Sequence, residues 1–242
     1  MGKVTDIRPA RDRLPQPVSR LAPPDLAFSR AASDTVRRML RRDIVAGAIP
    51  AGTRLVQSRV AQRFGVSTGP VRSALRELAA EGFVRFGPGG VAVVHELSRD
   101  EIEELYELRK LLEPVAAARA ARYASRASIL KAGGLIAAMD RETDALRWSQ
   151  YNSSFHQVLE EAGASPRSAA LMENLRELCS LHVTHSLTAE PGRGKCANAE
   201  HEDILRAVID RDPEAAANAM FRHLDGKQRR QPNVLLIGVP RP

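Results

Sequence analysis

Apolar residues recur along most of this chain at the three-and-four spacing of amphipathic helices. The pattern is densest in SRVAQRFGVSTGPVRSALRELAAEGFVRF, residues 58–86. Val60, Ala61 and Phe64 give a short first helix its apolar side. Gly65 is suited to end it, because a residue without Cβ takes positive φ freely. Val66 would plug the turn, and Ser67 is a good N-cap for a second helix. Pro70 falls in the first helical turn, where a missing N–H costs little. Val71, Ala74, Leu75 and Leu78 then repeat at helical spacing, so one face of this second helix is buried. The opposite face holds Thr68, Gly69, Arg72, Ser73 and Arg76. It is short, basic and built of small residues, which suits close approach to a DNA groove.

Upstream, SDTVRRMLRRDIVA reads as a helix over 33–46, capped by Ser33 or Asp34, with Val36, Met39, Leu40 and Ile44 as its stripe. Arg37, Arg38, Arg41 and Arg42 lie off the stripe, on a solvated or a phosphate-contacting face. Gly47 ends the helix, and GAIPAGTRL is a turn leading into Leu55. Downstream, Gly82 closes the second helix. Residues 83–86 and 91–95 read as two short strands, and GPGG between them supplies a turn. The sum is a winged helix-turn-helix over 31–97 with a β-hairpin wing.

From Ser98 the composition turns acidic and helical. Ser98 followed by Glu101 is a capping box for a long helix. Leu105, Leu108, Leu112, Val115 and Ala116 are its expected buried stripe, and Pro114 is expected to kink it. Arg109 sits beside that stripe. It is either an edge residue with a packed stem and a wet head, or a cationic anchor inside a bundle for a carboxylate ligand. Further helices are expected at 129–147 (weakened or divided by Gly133–Gly134), 148–162, 168–188, 197–211 and 213–226. The fold class is therefore mainly α: an N-terminal winged helix-turn-helix, then an all-α antiparallel bundle of about six helices over 98–226. Residues 1–30, rich in Pro and Arg, read as a disordered arm. The tail 227–242 shows no helical period.

Charge sharpens this division. Residues 1–98 hold 16 Lys and Arg against 8 Asp and Glu, a balance of +8. Residues 99–242 hold 20 against 21, a balance of −1. The positive excess sits with the DNA-reading half, as a polyanion partner requires. No apolar run approaches a membrane span, and the N-terminal stretch has no secretory pattern. Cys179 and Cys196 show neither metal nor disulfide spacing. A cytoplasmic location is expected, with no membrane partner.

Three histidines carry the candidate chemistry. His156 follows Asn152 by one helical turn, so both share a face. His201 and His223 lie 45 and 22 residues further on, each on another helix. Facing helices can bring three such imidazoles together. With an oxygen ligand they suit a divalent transition metal, zinc, nickel or manganese. Spacing alone equally allows histidines that merely fill the core. It also allows a metal-dependent hydrolase, against which stands the absence of a His-Glu-x-x-His pair. Glu200 and Glu202 flank His201 but are expected on other helix faces. His182 and His185 are placed for a site, a pocket wall or exposure.

The series Gly47, Ile49, Pro50, Gly52, Leu55, Ala61, Gly65, Val66, Ser67, Pro70, Val71, Arg72, Ala74, Leu75, Leu78, Gly82 and Phe83 resembles the DNA-binding domain of the GntR superfamily of bacterial transcription regulators. That resemblance implies a second helix in the major groove and a wing on the neighbouring backbone or minor groove. Arg72 falls at a position that is usually a DNA-contacting arginine. Arg37, Arg38, Ser67, Thr68, Gly69, Arg76 and Gly89 at the wing tip complete the expected DNA-binding set. The departures are Thr68, where arginine is common, Gly69, where threonine or another small polar residue is common, and a tip without a basic residue.

LYELRKLLEPVAA, FHQVL after Asn152, EHEDIL and DPEAAANAMFRHL resemble the FCD ligand-binding domain of the FadR subfamily, over about 99–225. The resemblance implies metal ligands at Asn152, His156, His201 and His223, with Asn152 replacing a commoner aspartate. It also implies Arg109 in an effector pocket and a small carboxylate as effector, although some members bind no metal. The protein is then expected to be a homodimeric regulator of a palindromic operator, not an enzyme.

Overall fold

The computed structural model describes residues 30–189 and 192–229. Of the arm expected at 1–30, residues 1–29 lie outside the described residues, as do residues 230–242 of the tail expected at 227–242; Arg30 and residues 227–229 are helical. The chain falls into two compact units that meet at Glu96 and Leu97.

In the first unit α1 (Arg30–Val45) leads to β1 (Arg54–Leu55), α2 (Gln57–Phe64), α3 (Thr68–Ala80), β2 (Val84–Phe86) and β3 (Ala92–Val94). Val36, Leu40 and Ile44 of α1 are buried together with Val71, Ala74, Leu75 and Leu78 of α3, the stripes the sequence predicts. Gly65 ends α2 at φ +66°, and the Val66 amide donates back to the Ala61 carbonyl. Two expectations change. Ser33 does not cap α1, nor does Asp34. The helix already runs from Arg30, and Ser33 is buried within it. The wing is also more than a hairpin. The residues expected to form only a turn before Leu55 supply β1, and the antiparallel sheet runs β1-β3-β2. Arg54 pairs with Val93, and Val84 with Val94. A single turn, Pro88–Gly90, joins β2 to β3.

The second unit contains seven helices among the described residues. They are α4 (Arg99–Tyr123), α5 (Arg126–Arg141), α6 (Ala145–Gly163), α7 (Pro166–Leu178), α8 (Ser180–Ala189), α9 (Arg193–Ile209) and α10 (Pro213–Arg229). The expected count of about six merged two of them. Helical periodicity runs unbroken through 168–188, yet the helix is interrupted at Cys179, which separates α7 from α8. Conversely, α5 is continuous through Gly133 and Gly134, and α4 is continuous through Pro114. Gly226 does not end α10, which runs on to Arg229. The α4 capping box forms as expected. The Glu101 amide donates to Ser98 Oγ (3.3 Å), and the Ser98 amide donates to Glu101 Oε2 (2.7 Å). Ser98→Ala should therefore cost about 1 kcal/mol, read as a lowered urea midpoint for this unit. An unchanged midpoint would mean that water replaces the cap without loss.

The buried face of α4 departs most from expectation. Leu108 and Val115 are exposed, while Tyr106, Arg109, Glu113, Ala116, Ala117, Ala120 and Ala121 face inward. Apolar periodicity alone misplaced this face because the interior here is polar. Two charged residues lie within it, and they pair with each other.

Candidate metal centre and nucleic-acid interface

The candidate reading face of the first unit is on α3. Its buried stripe turns Ser67, Thr68, Gly69, Arg72, Ser73 and Arg76 to solvent. Ser67 holds the N-cap position (φ −73°, ψ 167°), but its side chain makes no capping hydrogen bond. Arg72 Nε donates to Gln57 Oε1 at 3.4 Å. Gly89 stands exposed at the wing tip with φ +77°, so a side chain there would be strained. Arg38 is exposed, with a long hydrogen bond to Thr35 Oγ1. Arg37 is placed differently. Its Nε lies 3.1 Å from Glu77 Oε2 and its Nη1 2.7 Å from Glu81 Oε1. Arg41 reaches the other oxygen of Glu81 at 3.1 Å and stacks over Phe83. These two arginines brace α1 against the end of α3.

In the second unit α6 supplies Asn152 and His156, α9 supplies His201 and α10 supplies His223, all buried. One ring nitrogen from each histidine lies within 4.8 Å of the others, close enough to serve one ion. The rings of His201 and His223 are 4.6 Å apart, and that of His156 is 5.6 and 5.3 Å from them. Two carboxylates stand behind the trio. Glu113 Oε2 is 2.9 Å from His156 Nδ1, and Glu200 Oε2 is 2.7 Å from His223 Nδ1. Glu200, accepting from His223 Nδ1–H, fixes that tautomer and keeps the Nε2 lone pair for another partner, while Glu113 sets its negative charge beside His156. This is the arrangement of metal-ligating histidines, and the donor set fits a transition-metal ion.

Glu113 extends the network outward. Its Oε1 accepts from Arg109 Nε at 2.5 Å, and the Arg109 guanidinium lies 5.1 Å from the Tyr106 ring centre. Burial alone would raise the Glu113 carboxyl. Arg109 first, and then His156, overcome that and hold it well below the usual carboxylate range. It therefore stays ionised, as a partner behind a histidine should. One turn beyond His156 on α6, Arg176 Nη1 contacts both Glu160 oxygens at 2.5 and 2.6 Å. Burial pushes Glu160 up to about 7 against the pull of Arg176.

Comparison with known proteins matches residues 32–94 to the family described as bacterial regulatory proteins, gntR family, and residues 104–226 to the FCD domain. The chain belongs to the GntR family. Its FCD domain fits the FadR-like branch of that family. The HTH-type transcriptional repressor RspR of Escherichia coli (strain K12) is 28% identical over 195 residues, 78% of this chain and 84% of that one. The gluconate operon transcriptional repressor of Bacillus licheniformis is 26% identical over 214 residues, 85% and 87% of the two chains. The solved structure of E. coli McbR/YncC superposes with a TM-score of 0.71 at 20% identity, covering 81% of this chain and 94% of that chain. The fold is thus that of its GntR neighbours, and the two families and these relatives are transcriptional regulators, not enzymes.

Within this GntR chain the structure brings His156, His201 and His223 together and places Asn152 one turn from His156 on α6. Arg109 is fully inside the FCD domain, so its head is not wet. His182 lies apart from the trio, with its ring 6.4 Å from that of Tyr106. The His185 side chain lies outside the described residues. Sequence reasoning missed Glu113, whose i+4 spacing from Arg109 was the available signal. It also sent Glu200 to another face. A glutamate side chain is long enough to leave its own helix and reach His223 on the next. No helix among the described residues is long and apolar enough to cross a membrane.

Proposed function

We propose that this GntR regulator senses a small organic acid through a divalent transition metal held by Asn152, His156, His201 and His223 of its FCD domain. The observation that carries this reading is the trio of buried histidines backed by Glu113 and Glu200. Zinc, nickel and manganese are the candidates. Asn152 is neutral where a carboxylate would add charge, so affinity falls or the preference moves. When bound, the ion would supply a Lewis-acid attachment point for a carboxylate. Arg109 adds a cationic fork beside it. Glu113 holds both His156 and Arg109, so it ties acid recognition to the position of α6.

On this reading residues 31–97 bind DNA in the cytoplasm and residues 98–226 bind the effector. Effector binding favours one arrangement of the helices, and operator affinity changes by the difference in affinity between arrangements. Leu108, Leu111 and Val115 recur at i, i+3 and i+7 on α4 and are 41%, 71% and 59% exposed. A second copy of the chain covering this stripe gives a homodimer, whose two-fold symmetry matches a palindromic operator. Arg38, Ser67, Thr68, Gly69, Arg72, Arg76 and Gly89 then face DNA, while Arg37 positions α3 from behind.

The test is anisotropy of a labelled DNA fragment from beside the protein's own gene, titrated with protein that is metal-loaded or stripped by chelation. Carboxylates are then added to each. Metal-dependent release by an acid is expected. DNA binding indifferent to both metal and acid would overturn the sensing mechanism. In the same assay Arg72→Ala should cost about 1–3 kcal/mol on the operator and much less on unrelated DNA. A uniform loss would reduce Arg72 to a phosphate contact.

A further inference from the structure

Arg193, the first residue of α9, is 93% removed from solvent at 7% exposure, and its Nη1 has no hydrogen-bond partner. Among the described residues no carboxylate forms an ion pair with it. A guanidinium cannot shed its proton, and a buried charge without a counter-charge is costly. Arg109 Nη2 is likewise buried without a hydrogen-bond partner, although Glu113 holds its Nε. The Arg109 guanidinium lies 5.1 Å from the Tyr106 ring centre. Burial pushes the Tyr106 hydroxyl far above its ordinary value and Cys179 adds to this, while Arg109 and Arg193 both pull it back.

The start of α9 is also tied to the histidines. Gly192 opens the helix at φ +84°. Gly194 lies against the Trp148 indole, where a Cβ would come within 3.3 Å of Nε1. Trp148 in turn stacks on His201, with ring centres 6.1 Å apart. Eight residues of α9, about 12 Å of rise, separate Arg193 from His201.

We propose that Arg193 is a second anion anchor, so that the effector is a short diacid with one carboxylate at Arg109 and the metal and the other at Arg193. This rests on the effector site proposed above. A monoacid at Arg109 and the metal leaves Arg193 buried without a counter-charge, so the site discriminates by the number of carboxylates.

The experiment is calorimetric titration of the metal-loaded full chain with succinate and with butyrate, which share chain length but differ by one carboxylate. Succinate is expected to bind at least tenfold tighter than butyrate. Arg193→Gln should erase that ratio by weakening succinate while leaving butyrate unchanged, and Arg193→Lys should retain part of it. Equal affinity for the two acids in the wild type would overturn the proposal. So would an equal loss of both acids in Arg193→Gln while Arg193→Lys binds normally. If butyrate binds in a metal- and Arg109-dependent way without a succinate advantage, the effector site stands and the diacid inference falls. If neither acid binds, both fall.

Discussion

Gly163→Ala should lower the thermal midpoint of the FCD domain by roughly 6–12 °C. Gly163 is the last residue of α6 and lies directly on the backbone of α4. A Cβ there would sit inside contact distance of the Ala116 carbonyl oxygen and 2.8 Å from the Ala120 amide nitrogen. Alanine is the better helix former, by up to about 1 kcal/mol. That gain is outweighed, because the obstacle is main chain rather than a side chain that can rotate away. Overpacking of this kind costs about 1–3 kcal/mol even where side chains yield, so a net loss of about 3 kcal/mol is expected. Differential scanning calorimetry of the variant checks it. A shift within about 2 °C would mean that α6 and α4 separate freely. Since α6 carries Asn152 and His156, a separation would also reach the candidate metal centre.

His201→Ala should reduce metal affinity by more than about 100-fold, because even a partner behind a ligating histidine is worth roughly 10–100-fold. Glu200→Gln should accordingly fall within that lower range. Competition against a chelator of known affinity measures both, and metal content of the purified proteins gives a second reading. His201 is buried between Phe155 and Trp148, with the rings 4.6 and 6.1 Å away, so its loss also leaves a cavity. That cavity separates the alternatives. If the histidines only fill the core, His201→Ala lowers stability and leaves metal content equal to the wild type. If they hold an ion, metal content collapses and the stabilisation conferred by added metal disappears.

The helix-turn-helix was legible because its signals are local. Gly65, Ser67, the Val71–Leu78 stripe and the Ser98–Glu101 box each act within a few residues. β1 was not, because two residues give no alternation to read and the strand exists only by pairing with β3. The α4 face was misread for a related reason. Its inward side is chosen by Arg109 and Glu113 meeting His156, a contact between helices that no period along one helix reveals. The histidines were legible as candidates, but their carboxylate partners were not. Glu113 lies 43 residues before His156, and Glu200 bonds to a ring 23 residues away. Arg193 carried no sequence signal, since burial and the lack of a partner are properties of the folded chain alone.

The arginines of the first unit have a consequence for how this regulator grips DNA. Arg37 and Arg41 are engaged by Glu77 and Glu81, and Arg42 and Arg63 by Asp43. Cations already paired within the fold displace few ions from the duplex atmosphere, and it is those displaced ions that make affinity fall as salt rises. Operator binding should therefore weaken less steeply with ionic strength than the 16 Lys and Arg of residues 1–98 would imply if all were free.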